Sequence, residues 1–182
     1  MPEFNSDKLR PMKVNDLSMV LEWRNHEAVR KNMYTDHVIS EEEHFSWFQR
    51  TSSDNSIKHF IFESHGKPLG FVSFSQIDEA NKRAHWAFYS GDLSTKGLGS
   101  RMEFLALTYA FDELGLNKLC CEVLGFNQSV VKFHQKFGFE IEGCLKQHHI
   151  KDGEAHDVIL LAFYKDKWPD VKKAQLEKVK NV

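Results

Sequence analysis

Two glycines one residue apart, Gly97 and Gly99 in "LSTKGLGSRMEF", stand where a long apolar-periodic run begins. Glycine carries no Cβ, so such a step lets successive backbone N–H groups and the positive end of a following helix converge on one anion. The chemistry on offer is phosphate or pyrophosphate binding by main-chain donors of Lys96, Gly97, Leu98, Gly99 and Ser100. The alternative is a plain entry turn, which glycine pairs also supply. The step is neither a Walker A loop, which ends in Gly-Lys-Ser/Thr, nor a dinucleotide fingerprint, which needs a third glycine. Downstream, Glu122 and His134 lie twelve positions apart. Such groups can move protons near neutrality. The alternatives are a solvated strand carboxylate and a helix-surface imidazole.

Other reactive types point nowhere. Ten histidines are scattered without ligand spacing, so no metal site is expected. Cys120 and Cys121 are neighbours in an apolar stretch and point to opposite faces of a strand, while Cys144 stands alone. No disulfide framework is expected, and neither strand cysteine has an evident activating base.

The elements that must position these residues follow from periodicity. "KLRPM" reads as a strand, "NDLSMVLEWRNHEAVRKNM" as two helical pieces with Asn15 or Asp16 as a cap, and "SEEEHFSWFQR" as a helix opened by a Ser40…Glu43 capping box. "IKHFIFES", "LGFVSFSQI" and "RAHWAFYS" read as three antiparallel strands joined by hairpins. A helix follows from Thr95 until Gly115 stops it, then the strand "NKLCCEVLGF", a short helix ended by Gly138, and a hairpin turning at Asp152-Gly153. This order gives an α+β fold, one mixed and mostly antiparallel sheet of about seven strands flanked by helices. Residues 1–168 form one domain and 169–182 a charged tail, frayed or helical.

A chain of 182 residues with 24 Lys+Arg against 26 Asp+Glu carries no electrostatic footprint for wrapping nucleic acid or lying on a membrane. The N-terminus lacks signal-peptide order, and no apolar run approaches the roughly 20 residues of a membrane span. A cytoplasmic location is expected.

The loop Ser94-Thr95-Lys96-Gly97-Leu98-Gly99 resembles the Gln/Arg-x-x-Gly-x-Gly/Ala loop of the GNAT superfamily of N-acetyltransferases, with Ser94 where the family usually has Gln or Arg. "NQSVVKFHQKFGF" resembles the family's Asn-x-x-Ala/Ser-x-x-x-Tyr-x-x-x-Gly-Phe segment, matching at Asn127, Ser129, Gly138 and Phe139. Together the resemblance covers Leu9 to Tyr164. It implies acetyl-coenzyme A as co-substrate, its pyrophosphate on the glycine loop, an oxyanion donor around Phe88 or Tyr89, and splaying of that strand from the next. His134 stands where many members have the Tyr that protonates the leaving thiolate, and Glu122 resembles the base of ribosomal-protein N-terminal acetyltransferases.

The acceptor is read from the N-terminal third. Trp23-Arg24-Asn25, Arg30, Met33 and Ile39-Ser40…His44…Trp47, with "KDGEAHDVILLA", resemble the UDP-4-amino-4,6-dideoxy-N-acetyl-altrosamine N-acetyltransferases of pseudaminic acid synthesis, whose product decorates bacterial flagellin. That resemblance implies a UDP-amino sugar acceptor. Arg24, Arg30, Trp47 and Trp86 are residue types that serve a diphosphate and a uracil by bidentate hydrogen bonding and stacking. Trp23 and Trp47 equally suit a core, and Arg24 and Arg30 equally suit pairing with Glu22 or Glu27. A peptide-acetylating enzyme and a non-catalytic acyl-coenzyme A binding domain are the rival readings. Members of this fold often form homodimers, and no sequence feature locates an interface.

Overall fold

Phe60, Phe62, Val72, Phe74 and Trp86 join one hydrophobic core, while Ile61 and Phe71 join another. Neighbouring side chains on a strand point to opposite faces, so these strands are buried on both sides. The computed structural model, which describes residues 3–180, shows what covers each face. In chain order the elements are β1 (Glu3–Phe4), β2 (Asp7–Pro11), α1 (Leu17–Asn25), α2 (Glu27–Arg30), α3 (Glu41–Ser52), β3 (Lys58–Ser64), β4 (Lys67–Asp78) and β5 (Arg83–Ser90). Then come α4 (Leu98–Thr108), β6 (Lys118–Leu124), α5 (Gln128–Phe137), β7 (Glu140–Lys151), β8 (Glu154–Tyr164) and α6 (Trp168–Lys180).

The sheet runs β1-β2-β3-β4-β5-β6-β8-β7. It has seven full strands, with the two-residue β1 added at one edge. Every pair is antiparallel except β5 with β6, which are parallel and joined through α4. Residues of α4, α5 and α6 pack on one face around Phe62, Phe74 and Phe163, each fully buried. Burying a Phe of this kind contributes about 1.5–3 kcal/mol. On the other face, Val20 of α1 and Trp47 and Phe48 of α3 pack over Ile61 and Phe71.

Local chemistry refines several boundaries. Asp16 does not cap α1 with its side chain. Its carboxylate instead accepts from Arg10 at 2.7 and 2.8 Å and from the Lys13 N–H at 2.8 Å, binding the chain entry to β2. Ser40 does cap α3, its Oγ accepting from the Glu43 N–H at 3.1 Å. The helix expected from Thr95 begins at Leu98, because Asp92 ties up the preceding residues: its carboxylate accepts from Ser94 Oγ at 2.6 Å and Thr95 Oγ1 at 2.9 Å. At its far end α4 passes into a π-helical turn, Tyr109–Glu113, with the Tyr109 ring 4.7 Å from Phe60 and 5.1 Å from Phe74. The charged C-terminal segment is helical through Lys180, and Trp168 at its head is buried, donating from Nε1 to Asp112 at 2.8 Å. Arg101 fixes the front of α4 to the sheet by pairing with Asp7 of β2 and donating to Ser64 of β3 at 2.6 Å. Among the described residues no helix is long and apolar enough to cross a membrane.

The seam between α1 and the end of β5 is held at Gly91, where a Cβ would meet the Trp23 ring at 2.2–2.6 Å. The indole packs against the second core, so a Cβ would force that ring to shift. Gly91→Ala is therefore expected to lower unfolding free energy by about 1–3 kcal/mol, the usual cost of overpacking. Urea denaturation measures it; an unchanged midpoint would show the seam to be soft.

Candidate active site

The parallel ladder between β5 and β6 contains three pairs, Arg83 with Lys118, Ala84 with Leu119 and His85 with Cys120, and then stops. Both strands run on, β5 to Ser90 and β6 to Leu124. β5 stays bonded to β4 through Ser90, and β6 to β8 through Leu124, so each strand follows its outer neighbour away from the other. The parting opens a cleft of about 260 Å³. Trp86, Phe88 and Tyr89 line one side, Cys121, Glu122 and Val123 the other, with Asn127, Val130 and His134 of the α5 region and Val29 and Met33 of the α2 region completing it. Peptide groups of β5 that would have bonded β6 face this space, and backbone donors and acceptors without partners seek a ligand.

His134 comes to the cleft from α5, whose apolar residues Val131 and Phe137 anchor the helix in the core. Its ring is packed among Trp86, Phe88, Phe133 and Phe139, with centroids 5.1–6.0 Å away. Nδ1 lies 2.8 Å from Oε1 of Glu103, a fully buried carboxyl on α4. Burial pushes the His134 pKa down to about 4 and pushes Glu103 well above the usual carboxylate range. Charge is disfavoured on both members, as the low-dielectric surroundings require. Burial also drives the Cys121 thiol well above its ordinary range, with Glu103 adding to the effect. A thiol held in that form is a poor nucleophile, which argues against an acyl-cysteine route.

Glu122 alternates out of the core into the cleft and is exposed. Tyr34, in the turn after α2, donates to its Oε2 at 2.6 Å. Burial first, and then this carboxylate, raise the Tyr34 pKa and keep the phenol protonated as a donor. The turn is held over the cleft from the β7–β8 hairpin, by His149 Nε2 at 2.9 Å from the Tyr34 carbonyl and by Lys151 donating to the Met33 carbonyl at 3.1 Å. Neither Tyr34 nor Glu103 stood out in the sequence. A tyrosine in a polar turn and a glutamate in an apolar helix carry no local signature of their partners, which lie 88 and 31 residues away.

At the mouth of the cleft Gly97 has φ of +74° and a Cβ there would meet nothing within 4 Å. The left-handed backbone, not crowding, demands glycine. Leu98 is buried and anchors the first turn of α4, so its N–H and those of Gly99 and Ser100 stand at the open helix end. Lys96 precedes them. Ser94 serves the loop itself, both its N–H and its Oγ bonding to Asp92 Oδ1 at 2.8 and 2.6 Å. Main-chain donors are thus what this loop could offer an anionic group such as a pyrophosphate. Asn127 begins α5 and lines the cleft, its Oδ1 accepting from Ser129 Oγ at 3.0 Å.

The residues read as acceptor contacts divide. Met33 and Trp86 line the cleft, though Trp86 is buried and stacked on Phe88 and Phe139. Asn25 bonds Ile39 twice, at 2.8 and 2.9 Å, bracing the end of α1 against the approach to α3. Trp47 stacks on His44 at 5.0 Å and packs against His59 and Phe71, beneath the sheet face that α1 and α3 cover. Arg30 donates to the Asp36 carbonyl at 2.6 Å. Arg24 is within charge–charge reach of both Arg30 and His44. Arg24 Nη1, Arg30 Nε and His44 Nε2 are buried without a hydrogen-bond partner among the described residues.

With this geometry in view, the comparisons with known proteins are specific. The sequence matches the Acetyltransferase (GNAT) domain family over residues 8–140. It is 27% identical over 169 residues to spermidine N(1)-acetyltransferase of Escherichia coli K12, covering 92% of this chain and 91% of that protein. It is 28% identical over 145 residues to the acetyltransferase PseH of Campylobacter jejuni, covering 75% and 89%. The fold is shared with the spermidine N-acetyltransferase of Vibrio cholerae solved with CoA and spermine, at a TM-score of 0.83 and 22% identity over 90% of this chain and 98% of that one. The parted strands, the glycine-led helix and the family match lead to one conclusion: the chain belongs to the GNAT acetyltransferase family and is an acetyl-coenzyme A-dependent N-acetyltransferase.

Proposed function

We propose that the acceptor is the 4-amino group of a UDP-linked dideoxy amino sugar, acetylated by direct transfer in the cleft. The observation that carries this reading is the group formed by the guanidinium ions of Arg24 and Arg30 with the His44 ring, whose pKa burial lowers. Arg24 Nη1, Arg30 Nε and His44 Nε2 are buried polar atoms without partners among the described residues, and buried polar groups of this kind are costly unless something bonds to them. Glu43, the carboxylate that Arg24 feels, is bonded to His37 at 3.0 Å. A diphosphate would supply both the acceptors and the negative charge. A polyamine acceptor is the second reading, favoured by the longer match to the E. coli enzyme. Its cationic nitrogens would meet guanidinium repulsion here.

Acetyl transfer needs a neutral amine, a stabilised oxyanion and a protonated thiolate. In this reading Glu122 takes the amine proton, with the Tyr34 hydroxyl orienting its carboxylate. A backbone N–H near Phe88 or Tyr89 serves the oxyanion. His134 gives a proton to the departing sulfur, and the N–H groups from Lys96 to Ser100 hold the pyrophosphate.

Thiol release from acetyl-coenzyme A is expected with the UDP-4-amino sugar, inhibited by free UDP, and absent with spermidine; spermidine turnover insensitive to UDP would reverse the assignment. Arg30→Gln should raise KM for the sugar about 10–100-fold with little change in kcat, the loss of one charged hydrogen bond. Glu122→Gln should lower kcat by about 10²–10⁴-fold, the range for a lost general base, and unchanged kcat would remove Glu122 from the chemistry. Calorimetric titration with coenzyme A should find binding weakened far more by Gly97→Val than by Ser94→Ala. Equal losses would mean that the cradle is not a backbone site.

A further inference from the structure

Glu103 is fully buried on α4 and uses one oxygen, Oε1, to meet Nδ1 of His134 at 2.8 Å. Its other oxygen, Oε2, is buried with no hydrogen-bond partner among the described residues. An ionised carboxylate would leave a charged lone-pair set without donors, whereas a carboxylic acid leaves only a carbonyl oxygen short of one bond. The geometry therefore selects the acid form, with the Oε1 hydroxyl donating to Nδ1. That bond dictates the histidine tautomer: Nδ1 accepts, and the ring proton sits on Nε2. Among the described residues Nε2 has no hydrogen-bond partner and is not one of the buried unpartnered atoms, and His134 lines the cleft, so this N–H is the one presented to the reaction. The other titratable side chain at the pair is the Cys121 thiol of β6, which burial keeps protonated.

We propose that Glu103 is a positioning and proton-holding residue that acts through His134, so that the pair, and not the imidazole alone, protonates the departing coenzyme A sulfur. A neutral imidazole is a very weak acid by itself. With a carboxylic acid behind it, the Nε2 proton moves to sulfur, forming S–H, while the Oε1 proton moves to Nδ1. The products are a thiol, a neutral imidazole protonated on Nδ1, and the Glu103 carboxylate, so the negative charge passes from sulfur to Glu103. Glu122 then releases the amine proton to solvent, solvent returns one proton to Nε2, and the Nδ1 proton goes back to Glu103, so no net proton or hydroxide is left. Burial pushes the Glu103 pKa well above the usual carboxylate range, which favours its holding the proton until sulfur departs.

The inference rests on His134 being the acid of the proposed function, and the test separates the two. Nitrogen-15 NMR of the wild-type protein near pH 7 should show His134 neutral with its proton on Nε2. A proton on Nδ1, or on both nitrogens, would overturn the proposal, and this reading needs no variant to fold. Glu103→Gln keeps a donor to Nδ1 but has no transferable proton. It should lower kcat about 10–100-fold, with KM for acetyl-coenzyme A within about twofold, and adding His134→Phe should lower kcat no further. Wild-type kcat in Glu103→Gln together with a slow His134→Phe would overturn the role of Glu103 alone. Wild-type kcat in His134→Phe would overturn the underlying acid assignment and the relay with it.

Discussion

Three ladder pairs hold β5 to β6, and the strands then part because each is bound along its length to a different antiparallel neighbour. That conflict of partners opens the protein where its two halves meet. Peptide groups facing the gap lack a strand, and leaving such groups unbonded costs about 1–3 kcal/mol each where they are buried. A ligand with an extended, amide-bearing arm relieves that cost by taking the place of the missing strand pairs, which is recognition by completing a sheet. The glycine-led start of α4 lies at the mouth of the same gap, held to the sheet through Arg101, Asp7 and Ser64. The anchor for the charged end of the ligand and the slot for its arm are set by one framework.

Proton chemistry is divided between two different dielectrics. Glu122 stands exposed, where solvent can exchange its proton, and its carboxylate accepts from the hydroxyl of Tyr34. His134 is packed among aromatic rings and bonded to the fully buried Glu103, and burial disfavours charge on both. In the proposed reaction the base exchanges protons with water and the acid keeps its proton until sulfur departs, which are opposite needs. An outward strand position for one and an inward helix position for the other would serve both.

Much of this was legible in the chain. The period-two stretches "IKHFIFES", "LGFVSFSQI" and "RAHWAFYS" read as three antiparallel strands, and the structure pairs them so as β3, β4 and β5. Gly138 ends α5 as expected, with left-handed backbone, whereas α4 starts later than expected, at Leu98 after a left-handed Gly97. What periodicity cannot supply is pairing across distance. Tyr34 sits in a turn that only the β7–β8 hairpin holds over Glu122. Glu103 looks like one polar interruption in "RMEFLALTYAF", and only the packing of α5 against α4 brings His134 to it. Trp47 and Asn25, types that suit a ligand, are taken up by packing and bracing, because a residue's type does not reveal which face of its helix is already covered.

A gap between β5 and β6 that receives the thioester arm and delivers its sulfur to His134 should be visible in a crystal structure with coenzyme A bound. The pyrophosphate is then expected on the N–H groups from Lys96 to Ser100, the arm bonded to the backbone of β5 between Trp86 and Ser90, and the sulfur within hydrogen-bond reach of His134 Nε2. Coenzyme A bound with its arm outside the gap, or with its sulfur out of reach of His134, would contradict this arrangement.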